Sequence, residues 1–113
     1  MTEKNIVHRI MLSLSKRNTR VFKNVVGLLY TKDGRPQRIG LCTGSSDLIG
    51  WTSITITPDM VGKRVAVYTA IEVKQSGGKA SAAQLNFLRV VLEAGGYAGI
   101  ARCEEDAEKI CYS

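Results

Sequence analysis

In the run Val65-Ala66-Val67-Tyr68-Thr69-Ala70-Ile71-Glu72-Val73-Lys74, charge appears only at the end, as a carboxylate and an ammonium two residues apart. The run is apolar on both faces until its last residues and reads as a long buried strand. Side chains alternate along a strand, so Glu72 and Lys74 project from one face while Ile71 and Val73 project from the other. Metal-assisted phosphodiester hydrolysis asks for this pairing. Carboxylates hold a hard cation, the cation activates water and stabilises the charged phosphate, and a nearby ammonium positions the nucleophile or neutralises charge. Asp47, in Gly44-Ser45-Ser46-Asp47-Leu48-Ile49-Gly50, lies twenty-five residues before Glu72. It supplies a second carboxylate if the intervening strands form a hairpin that returns to the same sheet edge.

Each of these residues also has a plainer reading. A Glu-x-Lys pair on a strand is usually solvated and contributes a few tenths of a kcal/mol. Asp47 beside glycine and serines is a natural turn former. Glu3 suits the dipole of a first helical turn, and Gln84, three residues after Ser81, matches an S-x-x-Q capping box. Other chemistries fit less well. His8 is the only histidine and Gly44-Ser45-Ser46-Asp47 is not a G-x-S-x-G elbow, which argues against a Ser-His-Asp hydrolase. Cys42, Cys103 and Cys111 have no CxxC spacing, so free thiols in a reducing compartment are expected rather than structural zinc.

The elements that must position these groups follow from pattern. Thr2 is placed to cap a helix running to about Leu14, with Glu3, Val7, Ile10 and Leu14 along one face, and Glu3 is therefore expected to point at a sheet. Lys16 to Arg20 is a polar break. Val25–Tyr30 and Arg38–Leu41 form a hairpin about the Asp33-Gly34 turn, and Trp51–Thr57 makes a further strand ended by Pro58. After Val65–Lys74, Ser81 opens a helix with Leu85, Leu88, Val91 and Leu92 as its buried stripe, stopped by Gly95-Gly96. Tyr97–Ala101 is a short strand. A last helix begins near Glu104, with acids in its first turn and Ala107, Ile110 and Cys111 inward. The expected order is helix, three or four strands, helix, strand, helix.

With 113 residues, one domain spanning 1–113 is expected, so any binding surface belongs to the same fold as the active site. No apolar stretch approaches the length needed to cross a bilayer, so no membrane association and a cytoplasmic location are expected. The net charge of +6 is uneven: residues 1–40 carry nine basic side chains against Glu3 and Asp33. Such clustering suits a polyanion, because neutralising phosphates releases counterions and steers encounter. Lys16, Arg17, Arg20, Lys23, Arg35 and Arg38, with Lys79 further on, are the candidate DNA contacts.

The ordered set of segments resembles the VRR-NUC family, the virus-type replication-repair nucleases of the PD-(D/E)XK superfamily. The resembling segments are Glu3, Arg20–Gly27 (RVFKNVVG), Arg38–Leu41 (RIGL), Gly44–Gly50 (GSSDLIG), Ala70–Lys74 (AIEVK), Gly77–Gln84 (GGKASAAQ) and Gly95–Arg102 (GGYAGIAR). The resemblance implies an α/β, restriction-endonuclease-like core with a mixed central sheet flanked by helices. It implies Mg²⁺ or Mn²⁺ held by Asp47, Glu72 and the Val73 carbonyl, with Glu3 completing the site, Lys74 as the catalytic lysine and Gln84 as the glutamine following the catalytic strand. Ser46 stands where the family usually has proline, which frees the backbone before Asp47 without removing the carboxylate. Stand-alone phage members of this family, similar in size to this chain, dimerise and cut branched DNA. A homodimer acting on four-way (Holliday) junctions in a bacterial or phage-infected cell is thus the implied biology. The rival is a catalytically inert basic protein that binds nucleic acid, with Glu72 and Lys74 as a surface ion pair. Cleavage of RNA has no aromatic stacking platform in its favour.

Overall fold

The computed structural model describes residues 2–112, which form a mixed α/β chain of two compact units divided between Ile54 and Thr55. Among the described residues there are three α-helices and three two-stranded sheets.

The N-terminal unit opens with helix α1 (Glu3–Ser15), capped by the Thr2 side chain, which accepts from the Asn5 amide at 3.2 Å. Its covered stripe is Val7, Met11 and Leu14, which are half-buried, while Glu3 and Ile10 are exposed. The inward face is thus one position round from the expected one. Glu3 stays in water, where an unpaired carboxylate costs least.

The polar stretch after α1 does not remain a break: Thr19–Lys23 is strand β1. Half-buried Thr19 and Val21 alternate with exposed Arg20, so polar residues simply occupy the outward positions of a strand. Strand β2 (Gly27–Tyr30) and strand β3 (Pro36–Ile39) form the expected hairpin, shorter at both ends. Its turn closes through Thr31 N–H to the Arg35 carbonyl at 2.8 Å, with Gly34 at φ +87°. The Thr31 hydroxyl donates to Asp33, and together with Arg35 it holds that carboxyl below its ordinary range.

The strand expected at Trp51–Thr57 instead runs Leu48–Thr52 (β4), because its antiparallel partner β1 is only five residues long and pairs Lys23 with Leu48 and Thr19 with Thr52. Beyond Ser53, whose N–H still reaches the Asn18 carbonyl at 2.8 Å, the alternating Ile54 and Ile56 meet no ladder and are exposed. Gly50 is required by this pairing, since a Cβ there would lie 1.9 Å from the Arg20 carbonyl oxygen.

In the C-terminal unit a single 3₁₀ turn at Pro58–Met60 precedes strand β5 (Thr69–Val73), which is half the expected length. Its parallel partner β6 (Tyr97–Ala101) offers five positions, in register from Thr69 opposite Tyr97 to Val73 opposite Ala101. Residues Val65 to Val67 have the composition of a strand but lie outside this ladder, which Tyr68 joins only through its carbonyl, accepting from the Tyr97 N–H at 2.9 Å. Helix α2 (Ala82–Glu93) crosses from β5 to β6 and buries Leu88 and Val91, which with Ala101 are the buried apolar side chains among the described residues. Leu85 and Leu92, expected in the same stripe, are half exposed, so contact with β6 rests on an i, i+3 pair. Burial of a Val or Leu side chain contributes about 1.5–3 kcal/mol.

The α2 C-terminus closes as a Schellman motif, Gly96 N–H to the Val91 carbonyl at 2.9 Å and Gly95 N–H to Leu92 at 3.1 Å, with Gly95 at φ +101°. Helix α3 (Glu104–Tyr112) packs on β6, with Ala107, Ile110 and Cys111 half-buried as expected. A Cβ on Gly99 would lie 2.8 Å from Ile110 Cδ1, so glycine sets how closely helix and strand approach.

Candidate functional site

In the C-terminal unit, alternation along β5 puts Ala70 and Glu72 on its more covered face, with Lys74 half-buried just beyond the strand. Lys74 Nζ lies 3.5 Å from Glu72 Oε2, and the two side chains retain only 22% and 29% of their exposure. A solvated surface pair would be far more open. Lys74 is held from behind as well, because its N–H continues the ladder to the Ala101 carbonyl at 3.1 Å. The Val73 carbonyl belongs to the same planar trans peptide unit as that N–H and therefore points the opposite way, off β6.

Gln84 both caps α2 and contacts Glu72. Its Oε1 accepts from the Ser81 N–H at 2.8 Å while the Ser81 hydroxyl accepts from the Gln84 N–H at 3.1 Å, a complete capping box at the start of α2. With Oε1 committed to a backbone donor, the amide NH₂ is left facing the strand and donates to Glu72 Oε2 at 3.1 Å. The helix cap thereby orients the amide that holds the carboxylate. Both contacts on Glu72 fall on Oε2, and its side chain borders a cleft of about 350 Å³ lined by Ala70, Ile71, Ala83, Gln84, Phe87 and Leu88.

Arg102 is a functional candidate that the sequence did not single out. Its guanidinium donates to the Gln75 carbonyl at 3.2 Å and to the Gly78 carbonyl at 2.8 Å, while its N–H is taken by Asp106 Oδ2 at 2.9 Å. Those two carbonyls bracket the turn that follows Lys74, closed by Gly78 N–H to Gln75 at 2.9 Å with Gly77 at φ +82°. Arg102 therefore ties the segment between Lys74 and the Ser81 cap to the end of β6. Arginine's five donors in a fixed fork suit such two-point binding, but nothing in its spacing announces a target more than twenty residues away.

In the N-terminal unit Asp47 sits immediately before β4, with its side chain exposed. Its carbonyl accepts from the Asn24 N–H at 2.9 Å, which extends the β1–β4 ladder by one pair. Glu3 is exposed in the first turn of α1, where its charge favours the helix dipole. Lys16, Arg17, Arg20, Lys23, Arg35, Arg38 and Lys79 are all exposed. Arg35 pairs with Asp33 at 3.0 Å, Arg38 donates to the Thr43 hydroxyl at 3.2 Å, and Lys23 Nζ lies 3.4 Å from His8 Nε2.

In the C-terminal unit the donors are hard oxygens, the Glu72 carboxylate and the Val73 carbonyl; the N-terminal unit carries, separately, the exposed Asp47 carboxylate. They suit Mg²⁺ or Mn²⁺ and lack the thiolates and imidazoles that favour softer ions. Among the described residues, neither unit by itself gathers three His, Cys, Asp or Glu side chains.

A half-buried carboxylate and ammonium thus lie at the end of a parallel strand, braced by a helix-cap amide. The family model for the VRR-NUC domain matches residues 14–105, and the chain belongs to that family. It is thus a nuclease-family protein whose substrate is DNA. The match spans Asp47, Glu72, Lys74, Gln84 and Arg102 and begins after Glu3. Comparison with curated proteins and with solved structures gives no match. No helix among the described residues is long and apolar enough to cross a membrane.

Proposed function

We propose that this chain is a metal-dependent DNA endonuclease built as one PD-(D/E)XK domain, with Asp47, Glu72 and the Val73 carbonyl as the ligands of Mg²⁺ or Mn²⁺ and Lys74 as the catalytic lysine. The observation that carries the reading is the Glu72–Lys74 pair, half-buried and fixed on its carboxylate by Gln84. Ordering two polar side chains about one carboxylate oxygen is costly for a surface ion pair, which gains little from such order. A catalytic centre needs it.

In this scheme Glu72 keeps Oε2 on Gln84 and Lys74 and offers Oε1 to the cation. Asp47 supplies the second carboxylate. When bound, the cation neutralises phosphate charge and makes water easier to deprotonate. Lys74 holds the attacking water and offsets negative charge as it builds on the phosphate. The basic side chains from Lys16 to Arg38, with Lys79, hold the DNA backbone, contributing affinity that falls as salt rises.

A branched substrate and a homodimer complete the proposal. One small domain carries one set of Asp47, Glu72 and Lys74, whereas resolving a four-way junction takes two cuts related by a two-fold axis, and a symmetric dimer supplies both. The deciding experiment incubates the purified protein with labelled linear, flapped and four-way DNA, with and without Mg²⁺. Mg²⁺-dependent paired cuts at the four-way junction are expected; salt-sensitive binding without product in any metal would leave the binding protein in place. Sedimentation is expected to give twice the chain mass, and a monomer that cuts only flaps or ends would remove the junction reading alone.

A further inference from the structure

Asp47 stands in an irregular connection, and the residues that hold that connection converge on one side chain. Asn24, half-buried just after β1, directs four hydrogen bonds at residues 41–47. Its N–H donates to the Asp47 carbonyl at 2.9 Å. Its Nδ2 donates to the Ser45 hydroxyl at 2.7 Å and to the Ser46 carbonyl at 2.9 Å, and its Oδ1 accepts from the Leu41 N–H at 3.0 Å. The Ser45 hydroxyl in turn donates to the Cys42 carbonyl at 2.6 Å, so it must accept from Asn24, and this fixes which end of the amide faces it.

We propose that Asn24 is the positioning residue of Asp47, fixing where the Asp47 carboxylate can meet a metal ion. Three of its four contacts fall on Ser45, Ser46 and Asp47 in succession, the residues that set the direction in which the chain enters β4. The fourth pins Leu41, where the connection begins. One side chain thus holds both ends of the segment. This inference rests on the reading of Asp47 as a metal ligand. It differs from a merely structural part for Asn24, which would lower stability and leave metal affinity alone.

The test is Mn²⁺ binding to the full chain, measured calorimetrically without DNA, for the wild type, Asn24→Ala, Asn24→Asp, Asp47→Asn and the double variant Asn24→Ala/Asp47→Asn. Asn24→Ala is expected to weaken Mn²⁺ binding by about tenfold, the scale of losing a residue that orients a ligand. Asn24→Asp keeps the shape but turns two donors into an acceptor facing an oxygen lone pair and a carbonyl, and should weaken it at least as much. In the Asp47→Asn background Asn24→Ala should add nothing, because its effect runs through that carboxylate. Hydrogen exchange at the Leu41 amide should quicken in both Asn24 variants. A lowered melting temperature with unchanged Mn²⁺ affinity overturns the inference, as does an equal loss in the Asp47→Asn background. If Asn24→Ala does not fold, Ser45→Ala, which removes one Asn24 acceptor together with the Ser45 bonds to Cys42, must still weaken Mn²⁺ binding measurably. Unchanged affinity in Asp47→Asn overturns the ligand reading and this inference together. Wild-type protein that binds Mn²⁺ with the expected cycle but cuts no DNA would end the nuclease reading and leave Asn24 in its role.

Discussion

Asp47 and Glu72 are held in contrasting ways. Glu72 sits inside a strand: the parallel ladder with β6 fixes its backbone, alternation fixes its face, and a glutamine from the first turn of α2 fixes its Oε2. Asp47 sits at the mouth of a strand, reached through a turn of small residues, and its backbone is fixed by bonds from one asparagine far back in the chain. Regular structure distributes the work of positioning over many repeated bonds, so the loss of one is partly absorbed. A loop concentrates it. The difference predicts that the carboxylate in the strand tolerates changes around it better than the carboxylate in the loop, and that the groups doing the chemistry tolerate none.

The sharpest break is therefore at the groups themselves. Glu72→Ala and Lys74→Ala are expected to reduce Mg²⁺-dependent cleavage by about 10³-fold, the scale of removing a preorganised charge-stabilising group. Binding of the same DNA in the absence of metal should change by less than twofold, since neither residue belongs to the exposed basic set. Gel-shift and single-turnover assays on each variant separate the two effects. Near wild-type turnover in either variant would remove the site.

Replacing the cation probes both carboxylates together. Ca²⁺ should support DNA binding and support cutting poorly, because its larger, looser coordination shell positions ligands without activating water as Mg²⁺ does. Equal cleavage rates in the two metals would mean that positioning alone limits the reaction. The contrast between a rigid and a loop-borne ligand would then lose its catalytic meaning.

A smaller effect tests the strand side of the comparison. Gln84→Ala removes the bond to Glu72 and half of the capping box, and a loss of about tenfold in cleavage is expected for an orienting partner of a ligand. Ser81→Ala leaves Gln84 in place but takes away its reciprocal bond, at a cost of about 1 kcal/mol in stability. It should reduce cleavage by less than Gln84→Ala, and the reverse order would show that Gln84 acts through the helix rather than through Glu72. Thermal melts alongside the rate measurements decide this.

The same contrast explains what could be read from the sequence. The Glu72–Lys74 face, the Ser81–Gln84 cap and the Gly95-Gly96 stop follow from local spacing, and the structure shows each of them, whereas five strands rather than the expected three or four precede α2. The two strands set by pairing differ from the pattern: β1 begins inside what reads as a polar break, and β4 starts three residues earlier than the alternation implies, because β-branched Ile54, Thr55 and Ile56 carry strand propensity but meet no partner. For β5 the partner's length overrode an apolar run twice as long. Asn24 and Arg102 escaped notice for a related reason. Their bonds reach 17 to 27 residues along the chain, and only the folded path brings donor to acceptor. What a residue does to its own turn is legible; what it does across a loop is not.

Glu3 gives the smallest expected effect and the cleanest separation of two roles. The sequence places it in line with a core-facing stripe, where a buried carboxylate would need a cation beside it. In the structure the covered stripe passes through Met11 instead of Ile10 and Glu3 is exposed. It occupies the first turn behind the Thr2 cap, where a negative charge meets the unsatisfied N–H groups of the helix. Glu3→Gln removes that charge and keeps the shape of the side chain. The dipole role predicts a stability loss of about 0.3–1 kcal/mol at low ionic strength, shrinking as salt screens the interaction, with Mn²⁺ affinity and cleavage unchanged. A ligand role predicts the opposite: weaker Mn²⁺ binding and slower cleavage, with stability in the absence of metal left alone or raised by removal of a charge. Melting temperatures at two salt concentrations, set beside Mn²⁺ titrations of the same samples, distinguish them. A loss of metal affinity in Glu3→Gln would add a carboxylate on a helix terminus to the proposed ligands on a strand and a loop.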